Sequence, residues 1–164
     1  MNNRRRELPI ALLLATFVGA LMLMMLSVPE VVRFIRPDFV ALMLIFWLVR
    51  IPENLGIGFA WAVGFIYDGF VGGFLGQHAL SFSFIAYIVL VLHQRIRMFG
   101  ALQQTLLVLF LLLLDQMIDS WVAMVVLGND YNFYFVLNAL LGALCWPAVS
   151  AWLNRYQRMF AYAN

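Results

Sequence analysis

Two aspartates, Asp115 and Asp119, stand inside the longest apolar run of the chain, Ala101 to Leu127. A carboxyl group near the centre of a membrane span costs about 2.5–3.5 kcal/mol on insertion scales, so such residues face protein or a wet cavity and often mark function. Set four residues apart, the two share one helix face, and that face is a poor one to show to lipid. The one enzymatic chemistry such a pair allows is an intramembrane diaspartyl hydrolase. That reaction needs two carboxylates around a shared water, usually from separate helices, and two on one helix are poorly placed for it.

Other chemistries find less support. His78 and His93 fall at opposite ends of one apolar stretch and Cys145 stands alone, so no metal site is expected. Ser81 and Ser83 near His78 make no recognisable nucleophile triad, and no glycine-rich phosphate loop precedes a basic residue. Neither an enzyme nor a cofactor is expected. Cys145, in an apolar stretch, reads as a small buried residue.

The elements that must position the aspartates follow from composition. Apolar residues make up 65% of the 164-residue chain and charged residues only 11%, where a soluble domain carries about 25% charge. Ten arginines, with no lysine, against eight acids leave a net charge of +2, too small and dispersed for nucleic-acid binding. The sequence predicts one all-α integral membrane domain of six transmembrane helices, at about 8–27, 37–50, 54–72, 78–93, 101–127 and 133–153. The first span lacks a cleavage pattern and reads as an uncleaved anchor. The second has a core too short for a ~30 Å bilayer. With both termini cytoplasmic, Arg4, Arg5, Arg6, Arg50, Arg95, Arg97, Arg155 and Arg158 lie inside and only Arg33 and Arg36 outside, as arginine-rich inner loops require. Val28 to Arg36 then suits a segment at the outer interface, and turns are expected at Gly72 to Gln77 and Gly128 to Asn132.

This orientation assigns depths. Asp68 lies ~6 Å below the outer end of the third span, and Asp119 and Asp115 lie ~12 and ~18 Å below Leu127. Asp38 and His78 begin inward-running spans, and Asn138 lies one turn into the sixth. All fall in the outer half; the inner half offers only Gln103, Gln104, Thr105 and His93 near its edge. A one-sided polar set implies a cavity open to the outer face. The alternative is an internal network holding helices in register, in which Arg36 is the expected cation for Asp38, Asp68 and Asp119.

Gly56, Gly58 and Gly64 suit close helix packing, with Gly64 and Asp68 on one face. Pro147, after Trp146, removes a backbone bond inside the last span. Trp61, Trp121 and Trp152, with Tyr67, Tyr131, Tyr134, Tyr156 and Tyr162, read mainly as interfacial anchors.

The block Arg36-Pro37-Asp38, followed by Trp47 and Pro52, resembles the rod-shape-determining MreD family. So does Gly64-Phe65-Ile66-Tyr67-Asp68, continuing through Gly72 and Leu75-Gly76 to Leu80 and Tyr87, with Asp115 and Trp146-Pro147 completing the likeness over most of the chain. The resemblance implies a non-enzymatic subunit of the bacterial inner membrane, in the cell-elongation machinery that couples MreB filaments to peptidoglycan synthesis by RodA and its partner transpeptidase. It also implies MreC as direct partner, and a fold similar to the six-helix substrate-binding components of energy-coupling-factor transporters. On this basis the outer-facing pocket is expected to bind the membrane-proximal part of MreC through Arg36, Asp38, Asp68, Gln77, His78, Asp115, Asp119 and Asn138. Asp115 is expected to be its deep anchor, Asp68 its more exposed working group, and Asp119 a feature peculiar to this chain. The alternative is a small-molecule binder or transporter for a vitamin-like or lipid-linked ligand, and a third possibility is a scaffold whose cavity its own side chains fill.

Overall fold

The computed structural model describes residues 4–26, 36–72, 74–128 and 134–162. Of the interfacial stretch expected at Val28 to Arg36 and the turn expected at Gly128 to Asn132, all but Arg36 and Gly128 lie outside them, as do Gly73 and the side chains of Arg4, Arg5, Arg6 and Arg158. Six helices follow in order: α1 Arg4–Met25, α2 Phe39–Arg50, α3 Ile57–Val71, α4 Gln77–Met98, α5 Ala101–Leu127 and α6 Tyr134–Tyr162. Three of them, α4, α5 and α6, are long and apolar enough to cross a membrane; the apolar parts of α1, α2 and α3 are shorter.

Proline and glycine punctuate these elements. Pro37 stands just before α2, and Pro52 follows its end at Arg50, because proline disfavours helical backbone in the residue before it. The turn between α3 and α4 uses Gly72 and Gly76 at φ 74° and 102°, a left-handed backbone that glycine adopts without steric cost. α1 starts earlier than the expected span, and α4 and α6 run on past theirs, to Met98 and Tyr162.

α2 is the axis of the bundle. Every residue from Val40 to Val49 is buried, and the helix packs on α1, α4, α5 and α6. A helix that is apolar all round is a buried one, and this explains its shortness. At about 1.5 Å per residue its 12 residues span about 18 Å, and its neighbours, not lipid, enclose it. The indole Nε1 of Trp47 donates to Thr16 Oγ1 at 2.9 Å, and that hydroxyl donates to the Leu13 carbonyl at 2.8 Å, tying α2 to α1.

One end of the bundle carries Arg50 and Arg97. Arg97 donates to the carbonyls of Val49 and Arg50 at 2.8 and 2.6 Å, satisfying the end of α2, while Arg50 donates to Asn154. Gln104 closes the end of α4 through the carbonyls of Ile96 and Phe99. Around the outside, Leu14, Trp61, Leu80, Phe110, Trp121 and Leu144 are exposed. Trp152, on which Tyr156 rests, is exposed as well. Tyr67 is not an interfacial anchor. It is buried between His78, in edge contact at 4.6 Å, and Phe82, stacked at 6.0 Å.

Of the three glycines expected to serve packing, only Gly64 does. A Cβ there would lie 2.5 Å from the His78 carbonyl oxygen and 2.6 Å from the Ala79 backbone, whereas Gly56 and Gly58 have nothing within 4 Å. Gly64→Ala is therefore expected to destabilise the protein by about 1–3 kcal/mol, as overpacking against backbone does. Gly58→Ala is expected to be neutral, with thermal unfolding in detergent as the measurement.

Candidate functional site

At the end opposite Arg50 and Arg97, α1, α3 and α5 finish and α2, α4 and α6 begin. Five of the helices, with the residues that lead into α2, contribute to a cavity of about 590 Å³. Its walls include Leu21, Met24, Phe70 and Val71, and its polar lining includes Arg36, Asp38, Gln77, His78, Asp119 and Asn138. Six of the eight residues singled out from sequence thus meet around one space. Asp68 and Asp115 lie behind its wall.

Asp68 is fully engaged. Gly64, one turn earlier, lets the start of α4 come against α3, and the carboxyl one turn on reaches that helix start. Its oxygens accept from the backbone N–H groups of Gly76 at 2.8 Å, His78 at 3.0 Å and Ala79 at 3.4 Å. Helix-start N–H groups have no partner within their own helix, so a carboxylate from α3 supplies the cap that Gly76, the residue at the cap position, cannot. The same carboxyl lies 2.7 Å from His78 Nδ1.

His78 then bridges to α5, with Nε2 3.2 Å from Asp119 Oδ2. A neutral imidazole has a single N–H. Hydrogen-bonding both carboxyls therefore requires either an imidazolium or a proton on one carboxyl. Asp119 is 7% exposed and its second oxygen, Oδ1, is buried without a partner. Asp115 is wholly buried, and neither of its oxygens has one. Ser81 adjoins both aspartates, but its hydroxyl donates to the His78 carbonyl.

Several expectations change. Arg36 is not the cation of the network: its Nη1 donates to the carbonyls of Met24 and Leu26, at 3.0 and 3.1 Å, and so serves the end of α1. Among the described residues His78 bridges the carboxyls instead. Asp38 caps its own helix, its Oδ1 accepting from Val40 and Ala41 at 2.9 and 3.0 Å. Asp68, expected to be exposed, is 1% exposed, and Asp119 is the aspartate of α5 that faces the cavity. Asp115 makes no anchoring bond.

Gln116, Ser120 and Ala123 also line the cavity and escaped the reading from sequence. With Asp119 they recur at i, i+3, i+4 and i+7, one helix stripe. The stripe Val108, Leu111, Leu112 and Asp115 runs beside it and is buried. The small and polar character of the first stripe within an apolar run is the signal that could have found it. Among the described residues no group of three or more His, Cys, Asp or Glu side chains could hold a metal ion. Asp68, His78 and Asp119 are strung in a line through the imidazole instead of converging on a point.

These features define a small helical membrane protein with a polar-lined cavity at one end. The chain belongs to the MreD family: the family described as rod shape-determining protein MreD matches residues 4–156. Rod shape-determining protein MreD of Haemophilus influenzae is 26% identical over 146 residues, covering 89% of this chain and 90% of that one. No solved structure matches.

Removing the Asp68 carboxyl strands buried N–H groups, at about 1–3 kcal/mol for such a group. Asp68→Ala is expected to lower the thermal unfolding temperature most, Asp68→Asn less, and Asp119→Asn least, since Asp119 loses one contact. An equal or larger loss at Asp119 would show that the cap is not the main role of Asp68.

Proposed function

We propose that this rod-shape-determining membrane protein is a non-enzymatic inner-membrane subunit of the cell-elongation complex, which receives the membrane-proximal part of MreC in its end cavity. All six helices cross the membrane and both termini are cytoplasmic, so the cavity opens to the outer face. RodA, its partner transpeptidase and MreB complete the wider assembly that supports peptidoglycan synthesis. The fold is related to the substrate-binding components of energy-coupling-factor transporters, with a polypeptide where those hold a small ligand.

The observation that carries this reading is the convergence of Arg36, Asp38, His78, Asp119 and Asn138 on one space at the end opposite Arg50 and Arg97. Arginine-rich ends favour the cytoplasm, which makes the cavity end the outer one. The apolar walls beside the polar lining suit a segment leaving the membrane. The volume favours a second reading, a small-molecule site, because such pockets run about 300–1,000 Å³.

Ala123→Trp fills the cavity, whereas Val125→Trp, at an 80% exposed position, does not. The first is expected to cut MreC co-purification about fivefold or more, equivalent to about 1 kcal/mol, with unchanged membrane yield; the second is expected to leave it intact. Equal co-purification by both would remove the cavity from the interaction. Orientation is tested separately with single cysteines in a Cys145→Ser background: a cysteine at Gly128 should react with an impermeant maleimide in intact spheroplasts, and one at Gln157 only after lysis.

A further inference from the structure

Asp119 stands where a buried carboxyl oxygen meets an open space. Its Oδ2 faces His78 and its Oδ1 is buried and unpartnered, and the residue is part of the cavity lining. Stranding such an oxygen is costly, more so when it is charged, and the carboxyl that carries it stands at the cavity. The buried unpartnered atoms near it are of the same kind: Asn138 Oδ1 and both oxygens of Asp115. Trp146 Nε1 is the one donor among such atoms, and it lies two turns further along α6, beside Phe46.

Among the described residues the lining holds two groups that can carry positive charge, and both already have partners. Arg36 donates to the carbonyls at the end of α1, and each ring nitrogen of His78 faces a carboxyl. The buried atoms left without a partner at this end, on Asp119, Asn138 and Asp115, are thus all acceptors. Leu21, Met24, Phe70 and Val71 make the adjacent wall apolar. We propose that the cavity binds a cationic side chain, a lysine ammonium or arginine guanidinium, carried on an otherwise apolar stretch of polypeptide, and that this group donates to Asp119 Oδ1. A cation supplies several donors and the opposite charge at once. The proposal rests on the cavity being the occupied site, as argued above, and adds the chemistry that selects the occupant.

The full chain in lipid nanodiscs is titrated with short, end-blocked, fluorescent Leu-Ala peptides that carry Lys, Gln or Glu at the centre and are otherwise identical. The lysine peptide is expected to bind at least about tenfold more tightly than the glutamine peptide, about 1.4 kcal/mol, with the glutamate peptide weakest. Asp119→Asn should bring the lysine and glutamine peptides within about twofold, and Asp119→Glu should restore the preference, which separates loss of charge from loosening of the bundle. Failure of all three peptides to bind, equal binding of lysine and glutamine, or a lysine preference that survives Asp119→Asn overturns the proposal. Ala123→Trp distinguishes the two levels. If it abolishes MreC co-purification while the unaltered protein shows no lysine preference, the cavity is the docking site and the cationic selection is wrong. If the lysine preference persists in Ala123→Trp, the cavity itself is the wrong site.

Discussion

A helix leaves its first N–H groups without a partner of its own, and where its start is covered they must find one elsewhere; α4 begins under that constraint. The Asp68 carboxylate answers it from the neighbouring helix, holding three of those N–H groups together with the ring of His78. This one side chain joins α3 to α4, shapes the turn between them, and sets the direction of the imidazole. It reaches α4 because Gly64 puts no side chain between the helices. The cavity inherits its geometry from that contact, since His78 presents its other nitrogen to Asp119 and closes the floor.

The remaining polar groups divide into those that finish helices and those that do not. Asp38 starts α2, Arg36 ends α1, and Arg97 ends α2 at the far end of the bundle. Each removes an unsatisfied backbone group that lipid would not solvate. Asp119, Asn138 and Asp115 have no such task among the described residues, for each keeps at least one buried oxygen unpartnered. Polar groups kept without a structural partner set the floor of the cavity apart from its frame.

Much of the frame was legible in sequence because apolar runs, prolines and arginines report directly on helices and their ends. Depth along their helices placed Asp119 and His78 in the same half of the bundle, but did not pair them. Rotation about the helix axis was not legible. It decides that Asp119 faces the cavity while Asp115, one turn away, lies behind its wall, and that Arg36 turns to the carbonyls of α1 instead of to the carboxyls. Likewise Asp68 looked exposed because its position lies near a helix end, whereas a backbone contact from α4 covers it. That contact depends on which helix neighbours which, and periodicity within a single segment carries no such information.

The short central helix has a bearing on how the chain is built. A 12-residue α2 of about 18 Å reaches little more than half of a ~30 Å hydrocarbon core. Threaded alone into a bilayer during synthesis, it would leave the membrane thinned or its own ends stranded. Its final position needs the walls that α4, α5 and α6 supply, all of them later in the chain. The burial of α2 is therefore complete only once the chain has been made through α6.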